Sequence, residues 1–338
     1  MNGNDSKAMR RLPCTCRAAE QVLWFDEVDS TNTVARRLLT ELTEAWRPAG
    51  GADAAIAAPP IAVIVADAQT AGHGRLGRRW VSLPGESSMV SFTTVLPQSL
   101  ATDPHVNGWL QMIAGLAAAE AIDDVCARIG AACTHTPSDG DASPATSDAD
   151  GDGPCALMLK WPNDIVLHGR KLGGILLELV TPLGGAATAG SGAIPRADVQ
   201  SRPSGPDGGR MVGLVIGVGI NLAIPADRLP TELATSLQLH RAPLPDPERM
   251  RDLIAAGMAA SLRSRLREFI ADPVGYAAAL RDEMTSKCWT IGRRVEARLV
   301  DGGTVRGTAM RLNVDASLMV RDAGGYEHTI TTGDVGVL

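Results

Sequence analysis

The sequence predicts an α+β protein of 338 residues with a small β-barrel at its C-terminal end. Three observations support this prediction. Short apolar runs rich in Val and Ile, such as 61–65 and 211–222, are typical of buried strands. Longer segments with apolar residues at helical spacing, 103–129 and 247–270, predict helices that cover the sheet. After Cys288 the pattern changes to short alternating runs separated by turn residues, which predicts the barrel.

Composition limits the classes of function. Hydrophobic residues make up 45% of the chain, enough for a packed core, and the length favours about two domains. The net charge of −6 provides no electrostatic footprint for nucleic acid, and no run of 18 apolar residues predicts a membrane span. Residues 1–20 lack the apolar stretch of a secretory signal, so we expect a disordered extension on a cytoplasmic protein. The six cysteines lack zinc-binding spacing and are expected to be reduced.

A polar cluster follows the first predicted strand, 24–28. Asp29, Ser30, Thr31 and Asn32 directly precede an apolar-periodic run. Such a cluster is a helix N-cap signal. A helix N-terminus is also rich in hydrogen-bond donors, so the same residues can bind a polar ligand group. Both interpretations stay open from the residues alone.

A cationic, glycine-rich loop, 66–80, follows the strand at 61–65. It carries three glycines and three arginines: Gly72, Gly74, Gly77, Arg75, Arg78 and Arg79. Glycines let the backbone approach a ligand, and guanidinium groups match carboxylate and phosphate oxygens. The spacing partly fits a dinucleotide fingerprint and a P-loop. No helix pattern follows, however, and Arg78-Arg79 stand where a P-loop requires Lys and Ser/Thr. The loop therefore predicts an anion site of another kind.

Two segments rich in Gly, Ser, Asp and Pro, near 134–154 and 184–210, predict solvated insertions without a catalytic role. The first imitates the start of an EF-hand loop, but Leu159 stands where calcium requires a bidentate carboxylate. Between them, residues 157–180 predict an antiparallel meander of three strands joined by tight turns. Lys171 and the glycines 173–174 begin its third strand, which indicates that something approaches the backbone there.

Five ordered blocks resemble the biotin protein ligase family. They are Asp29-Ser-Thr-Asn32, Gln69-Thr-Ala-Gly-His-Gly-Arg-Leu-Gly-Arg-Arg-Trp80, Lys160-Trp-Pro-Asn-Asp164, Arg170-Lys-Leu-Gly-Gly-Ile-Leu-Leu-Glu178 and Gly217-Val-Gly-Ile-Asn221. The resemblance covers about residues 22–338. It implies a class II synthetase-like catalytic domain at 21–285, with a mixed sheet and flanking helices, and an SH3-like barrel at 286–338.

The resemblance implies an ATP-dependent, AMP-forming ligase. Biotin carboxylate would attack the α-phosphorus of ATP, giving biotinyl-5′-AMP and pyrophosphate, with Mg²⁺ as the metal ion. A lysine of a biotin carboxyl carrier protein domain, part of a biotin-dependent carboxylase, would then attack the mixed anhydride. Both half-reactions build negative charge, which suits a site rich in Arg and Lys.

Site residues follow from the same resemblance. Those implied for biotin are Ser30, Thr31, Asn32, Gln69, His73, Gly74, Arg75, Lys171 and Gly174. Those implied for ATP are Arg78, Trp80, Lys160 and Asn221, with Asp164 for Mg²⁺. Lys171 is expected to be the principal electrostatic catalyst, assisted by Arg75. His73 departs from the family, which commonly has Arg there, and imidazole offers fewer donors and is largely neutral at pH 7.

Three alternative functions compete with this interpretation. A biotin-responsive repressor is disfavoured, because only about twenty residues precede the first strand, too few for a winged-helix domain, so no DNA partner is expected. A lipoate ligase would share the superfold and acyl-adenylate chemistry. A catalytically silent biotin-binding module would bind biotin without releasing pyrophosphate. No membrane partner is expected, and the protein is expected to be a monomer or weak homodimer.

Overall fold

The computed structural model describes residues 3–45, 59–134, 156–180 and 211–338. The two predicted insertions, near 134–154 and 184–210, lie almost wholly outside these ranges. The helices are α1 Gly3–Arg11, α2 Thr15–Ala18, α3 Thr31–Ala45, α4 Gln98–Thr102, α5 Trp109–Ile129, α6 Pro247–Ala271 and α7 Pro273–Lys287. The strands are β1 Gln21–Val28, β2 Ala62–Gln69, β3 Ser87–Pro97, β4 Ala132–Cys133, β5 Leu157–Lys160, β6 Asp164–Leu167, β7 Arg170–Val180, β8 Met211–Asn221, β9 Arg241–Ala242, β10 Arg294–Arg298, β11 Thr304–Leu312, β12 Leu318–Arg321, β13 Glu327–Ile330 and β14 Asp334–Val337.

A seven-stranded mixed sheet forms the centre of the protein, in the order β1-β2-β3-β8-β7-β6-β5. β1 and β2 are parallel, and the remaining pairs are antiparallel. The apolar runs and the meander predicted from the sequence are thus strands of one sheet. This arrangement confirms the α+β class with a mixed sheet and flanking helices.

Helices cover the sheet on both faces. On one face α3 packs on β2, β3 and β8, where Ala35, Ile64 and Val215 form a small buried cluster. On the other face α5 and α6 pack against each other and bury the main core. Because side chains alternate along a strand, Leu214 and Ile216 of β8 belong to that main core while Val215 faces α3. The face that carries α3 also carries the candidate site.

The expectation of disorder before the first strand does not hold for residues 3–18, which contain α1 and α2. Leu12 is fully buried, and the backbone N–H of Thr15 donates to the carboxylate of Asp252 at 2.8 Å. Asp252 itself is fully buried in α6, so its charge requires these donors. Composition alone missed this contact because it joins residues 237 positions apart.

The C-terminal residues form a five-stranded antiparallel sheet, β13-β12-β11-β10-β14, consistent with the SH3-like barrel. Two indoles dock its turn at 313–317 on the rest of the protein. Trp109 Nε1 donates to the carbonyl of Val314 at 2.8 Å, and Trp161 Nε1 donates to that of Ala316 at 2.9 Å. The sheet is therefore fixed beside the strands that carry Lys160 and Asp164.

Cys14, Cys126 and Cys288 carry free thiols, as expected, whereas Cys133 is disulfide-bonded and corrects the expectation that every cysteine is reduced. Within the described residues, every helix is too short or too polar to cross a bilayer.

Candidate active site

Small residues at alternating positions of β8 form the floor of the candidate site. Gly217, Gly219 and Asn221 share the face that α3 covers, because side chains point to opposite faces at successive positions. A Cβ added at Gly217 would collide with Oδ1 of Asn32, and one at Gly219 would lie 2.6 Å from the Trp80 indole. The two glycines thus let the start of α3 and the end of the arginine loop lie directly on the sheet.

The polar cluster before α3 forms a buried network above this floor. The backbone N–H of Thr31 donates to Oε1 of Gln69 at 2.8 Å, and its hydroxyl lies 3.2 Å from the same oxygen. Ser91 Oγ, fully buried on β3, lies 2.6 Å from Asn32 Oδ1, while Asn32 Nδ2 donates to Glu178 Oε2 at 2.7 Å. The cluster therefore starts a helix and also presents neutral amide and hydroxyl groups side by side.

Ser30 completes this region. Its side chain is 4% exposed, its carbonyl accepts from Val34 in the first turn of α3, and its N–H donates to Asp29 Oδ1 at 2.7 Å. Neutral donors and acceptors that are already positioned by a network suit a neutral polar ligand group.

The glycine-arginine loop closes on itself and does not open a helix. Gly74 N–H donates to the carbonyl of Arg78 at 2.7 Å, and Trp80 N–H donates to that of Gly72 at 2.9 Å. Residues 75–77 form a single 3₁₀ turn in which Leu76 and Gly77 have φ of 57° and 71°. The prediction that this is neither a dinucleotide fingerprint nor a P-loop is in agreement with this geometry.

The loop arginines reach the C-terminal sheet. Arg75 Nη1 donates to Asn163 Oδ1 at 3.1 Å, and Nη2 donates to Thr332 Oγ1 at 3.4 Å and to the carbonyl of Gly333 at 3.3 Å. Arg78 forms an ion pair with Asp334. Burial lowers the pKa of the Arg75 guanidinium, although the carboxylates of Asp164 and Asp334 oppose that change. The turn between β13 and β14 is therefore part of the site.

A carboxylate between two lysines lies beside the loop. Lys171 Nζ is 2.7 Å from Asp164 Oδ1, and Lys160 Nζ is 3.6 Å from Oδ2. Lys171 and Asp164 lie over Gly174, where an added Cβ would be 3.4 Å from Lys171 Nζ and 3.7 Å from Asp164 Oδ1. Gly174 pairs directly with Gly219 of β8. Lys171 and Trp80 thus lie over neighbouring glycines of adjacent strands, which are about 5 Å apart.

Asn221 ends this face of β8 and is 4% exposed. Its Nδ2 donates to the carbonyl of Thr235 at 2.9 Å, and its Oδ1 lies 3.4 Å from Ser87 Oγ. Thr235 N–H in turn donates to the carbonyl of Lys171 at 2.8 Å. Segment 231–236 therefore connects Asn221, at the end of β8, with Lys171 of β7 through hydrogen bonds.

Most of the residues predicted from the sequence surround this floor. The contact of the His73 ring stays within its own loop, since Nδ1 lies 3.2 Å from the carbonyl oxygen of Ala71. Sequence reasoning missed Ser91, Glu178, Asn163 and Asp334 as members of the site. Glu178 and Asn163 lay within the recognised blocks, and Ser91 was visible as a polar residue in a buried strand, but nothing near Asp334 in the sequence indicates its place.

The chain is similar in sequence to known biotin and lipoate ligases. The model of the biotin/lipoate A/B protein ligase family matches residues 57–192. The chain is 28% identical to a biotin–[acetyl-CoA-carboxylase] ligase of Mycobacterium tuberculosis over 273 residues, covering 81% of this chain and 77% of that protein. It is 27% identical to the ligase of the same name from Paracoccus denitrificans over 307 residues, covering 88% and 93%.

A solved structure shows the same fold. The biotin protein ligase of Aquifex aeolicus in complex with biotin and ATP superposes with a TM-score of 0.57 at 19% identity, covering 94% of this chain and 99% of that one. The matched family, the sequence similarity and the shared fold all point to the same kind of protein as the sequence blocks that surround the glycine floor. Residues 57–192 therefore match the biotin/lipoate A/B protein ligase family, and the chain as a whole is similar to biotin protein ligases in sequence and in fold.

Proposed function

We propose that this protein activates biotin with ATP to biotinyl-5′-AMP and transfers the biotinyl group to a lysine of a biotin carboxyl carrier protein domain. Its relatives are named biotin–[acetyl-CoA-carboxylase] ligases. The observation that carries the proposal is the shared floor of Gly217, Gly219 and Gly174, which joins a neutral polar network to a cationic cluster. A ligand that is neutral at one end and becomes anionic at the other fits both halves.

The neutral half would hold the ureido ring of biotin. Ser30, Thr31, Asn32 and Gln69 supply amide, hydroxyl and backbone groups, and the last three of these residues are joined in the network around Ser91. Fixed partners reduce the entropy lost on binding. The backbone at Gly74, and with a weaker contact His73, would border the same ligand.

The cationic half would stabilise the reacting carboxylate and α-phosphate. Lys171 Nζ would donate to the oxygens on which charge develops during attack, and Asp164 holds that ammonium in place at 2.7 Å. Gly174 leaves room for the ligand beside the ammonium. Arg75 would add positive charge from the loop, in which its guanidinium is held by Asn163 and the C-terminal turn.

The nucleotide would extend along the end of β8. Trp80 Nε1 is buried and has no hydrogen-bond partner within the described residues, so it can donate to a ligand at this position. Asn221 would border the adenine, and Arg78 and Lys160 would pair with phosphate oxygens.

Asp164 is the candidate ligand for Mg²⁺, and it would supply a single carboxylate oxygen. Within the described residues no group of three His, Cys, Asp or Glu side chains could hold a metal ion. Mg²⁺ is commonly held by one or two carboxylates together with substrate phosphates and water, so Asp164 would supply one oxygen. When bound, the ion would neutralise phosphate charge.

The decisive experiment measures pyrophosphate released by the purified protein with ATP and Mg²⁺, with biotin or lipoate and no carrier. We expect a biotin-dependent burst of about one equivalent, because the adenylate stays bound, and steady turnover after carrier is added. A lipoate-dependent burst would indicate a lipoate ligase instead. Biotin binding without any pyrophosphate would indicate a binding module.

A further inference from the structure

The turn between β13 and β14 places a carboxylate on the arginine loop. Asp334 forms an ion pair with Arg78, and the two preceding residues accept hydrogen bonds from Arg75. The Arg78 side chain is 61% exposed and that of Asp334 is 28% exposed. The pair therefore lies at the mouth of the site, where a ligand from solvent can reach it.

A carboxylate and a phosphate compete for the same guanidinium. Both accept hydrogen bonds from the planar guanidinium group of arginine, often two at a time. A half-exposed ion pair contributes little net stabilisation, because water and salt screen it, so an incoming phosphate can displace the carboxylate. Arg78 cannot fully engage both anions in the same geometry, and the affinity for phosphate must include the cost of breaking the existing pair.

The loop does not depend on this pair for its shape. The backbone bonds from Gly74 to Arg78 and from Trp80 to Gly72 close the loop, and three donations from Arg75 hold it against Asn163 and the turn. Asp334 itself is held in β14 by its backbone pairing with Arg298. Removing the charge of Asp334 should therefore release Arg78 while leaving the loop and the turn in place.

We propose that Asp334 is a built-in competitor for phosphate at Arg78, through which the C-terminal sheet weakens the binding of ATP and favours the release of pyrophosphate. The proposal rests on the proposed function only in giving Arg78 a phosphate ligand. It assigns a role to a residue of the C-terminal sheet that neither the sequence pattern nor the glycine floor indicates.

The test compares Asp334→Asn with Glu327→Gln. Both substitutions remove one negative charge from the same sheet, but Glu327 pairs with Arg311 and Arg321, not with the loop. The dissociation constant of inorganic pyrophosphate is measured by calorimetry without biotin, and the KM for ATP is measured in biotin-dependent pyrophosphate release. Asp334→Asn should lower both constants about two- to fivefold, the range expected for one half-exposed ion pair. Glu327→Gln should leave them unchanged.

A second pair of variants tests whether Asp334 acts on pyrophosphate binding through Arg78. In an Arg78→Gln background, adding Asp334→Asn should no longer tighten pyrophosphate binding, because the competition passes through Arg78. Unchanged or weaker binding by Asp334→Asn, no measurable binding at all, or an equal effect of Glu327→Gln would overturn the proposal. Because the calorimetry needs no biotin, a protein without biotin-dependent turnover would disprove the proposed function and still test this contact.

Discussion

Single side chains determine the chemistry at the cationic end of the site. Asp164 accepts from Lys171 and lies within 3.6 Å of Lys160, so one carboxylate positions two ammonium groups. The Lys171 side chain is nevertheless 39% exposed, which leaves its other donors available to a ligand. A positioned but accessible ammonium is what electrostatic stabilisation of a developing anion requires.

Lys171→Ala tests this role. Removing one preorganised transition-state donor typically lowers the rate about 10²- to 10³-fold, and we expect that loss in biotinyl-adenylate formation measured in a single turnover. Arg170→Ala is the matched control, because the adjacent Arg170 is exposed at the same turn and should retain normal rates. Near-normal adenylate formation by Lys171→Ala would rule out its catalytic role.

At the scale of elements, β8 determines how closely the surrounding segments approach the sheet. Its glycines at 217 and 219 are each covered by a side chain from another segment, Asn32 from α3 and Trp80 from the loop. The glycines alternate in this otherwise apolar strand because two side chains lie directly on the strand there. Their backbone conformation does not itself require glycine.

Gly219→Ala should displace the Trp80 indole, since its Cβ would lie 2.6 Å from that ring. We expect the KM for ATP to rise roughly tenfold or more, because small displacements of positioning groups are costly. Gly336→Ala serves as the control, because its Cβ would lie 3.9 Å from the carbonyl oxygen of Glu296, an ordinary contact distance. An unchanged KM for ATP in Gly219→Ala would separate Trp80 from nucleotide binding.

The helical layer contains an ion-pair network that makes stability depend on pH. Arg265 of α6 pairs with Glu120 of α5 at 2.9 Å and with Glu283 of α7 at 2.7 Å. Burial raises the pKa of Glu120, but hydrogen bonds from Ser261 and Arg265 outweigh it, and the net pKa lies below the ordinary 4.5. A lowered folded-state pKa contributes stability above the unfolded pKa, and this contribution is lost as pH falls through the folded value.

Glu120→Gln should therefore destabilise the protein at pH 7 but not in strong acid. The side chain is 44% exposed, so solvent screening limits the expected loss to about 1 kcal/mol or less. Urea denaturation at pH 7 and at steps below pH 4.5 measures the difference from the parent protein, which should shrink as the parent carboxylate is protonated. A difference that grew toward acid pH would contradict the assigned direction.

At the scale of the whole molecule, contacts between distant parts of the chain decide how its segments pack together. The fully buried carboxylate of Asp252 accepts from the N–H groups of Cys14 and Thr15, from the Thr15 hydroxyl at 2.9 Å and from Arg249. The N-terminal helices are thereby tied to α6. In the same way, Arg75 ties the loop to the C-terminal turn over 258 positions.

Thr15→Val should lower the free energy of unfolding by about 1.5–3 kcal/mol, because it removes a hydrogen bond to a buried charge. Denaturant unfolding provides the measurement. Thr285→Val is the control, since the hydroxyl of that exposed residue donates to the carbonyl of Arg281 in its own helix, and surface changes usually stay within about 0.5 kcal/mol. Equal effects of the two substitutions would show that the Thr15 hydroxyl adds nothing to the backbone donors that hold Asp252.

Elements with strong local patterns were predicted well. The meander and the helix from Pro247 agree closely with the structure, since periodicity and turn residues act over short distances. The helix predicted from residue 103 begins only at Trp109, because residues 103–108 form successive turns. Of the site, the blocks around Thr31, Gln69 and Lys171 were recognisable because they occur in the order of the biotin protein ligase blocks, whereas residue types alone left the role of the Thr31 cluster open.

The sequence by itself determined most of the strands and helices and the residue types of the site, because both are encoded in short stretches of the chain. Tertiary structure alone decided that Asp334 meets Arg78, that Ser91 lies beside Asn32 and that the N-terminal residues fold against Asp252. These contacts join residues whose separation exceeds any local period. Their formation depends on how the sheets and helices pack, which no local pattern of residues encodes.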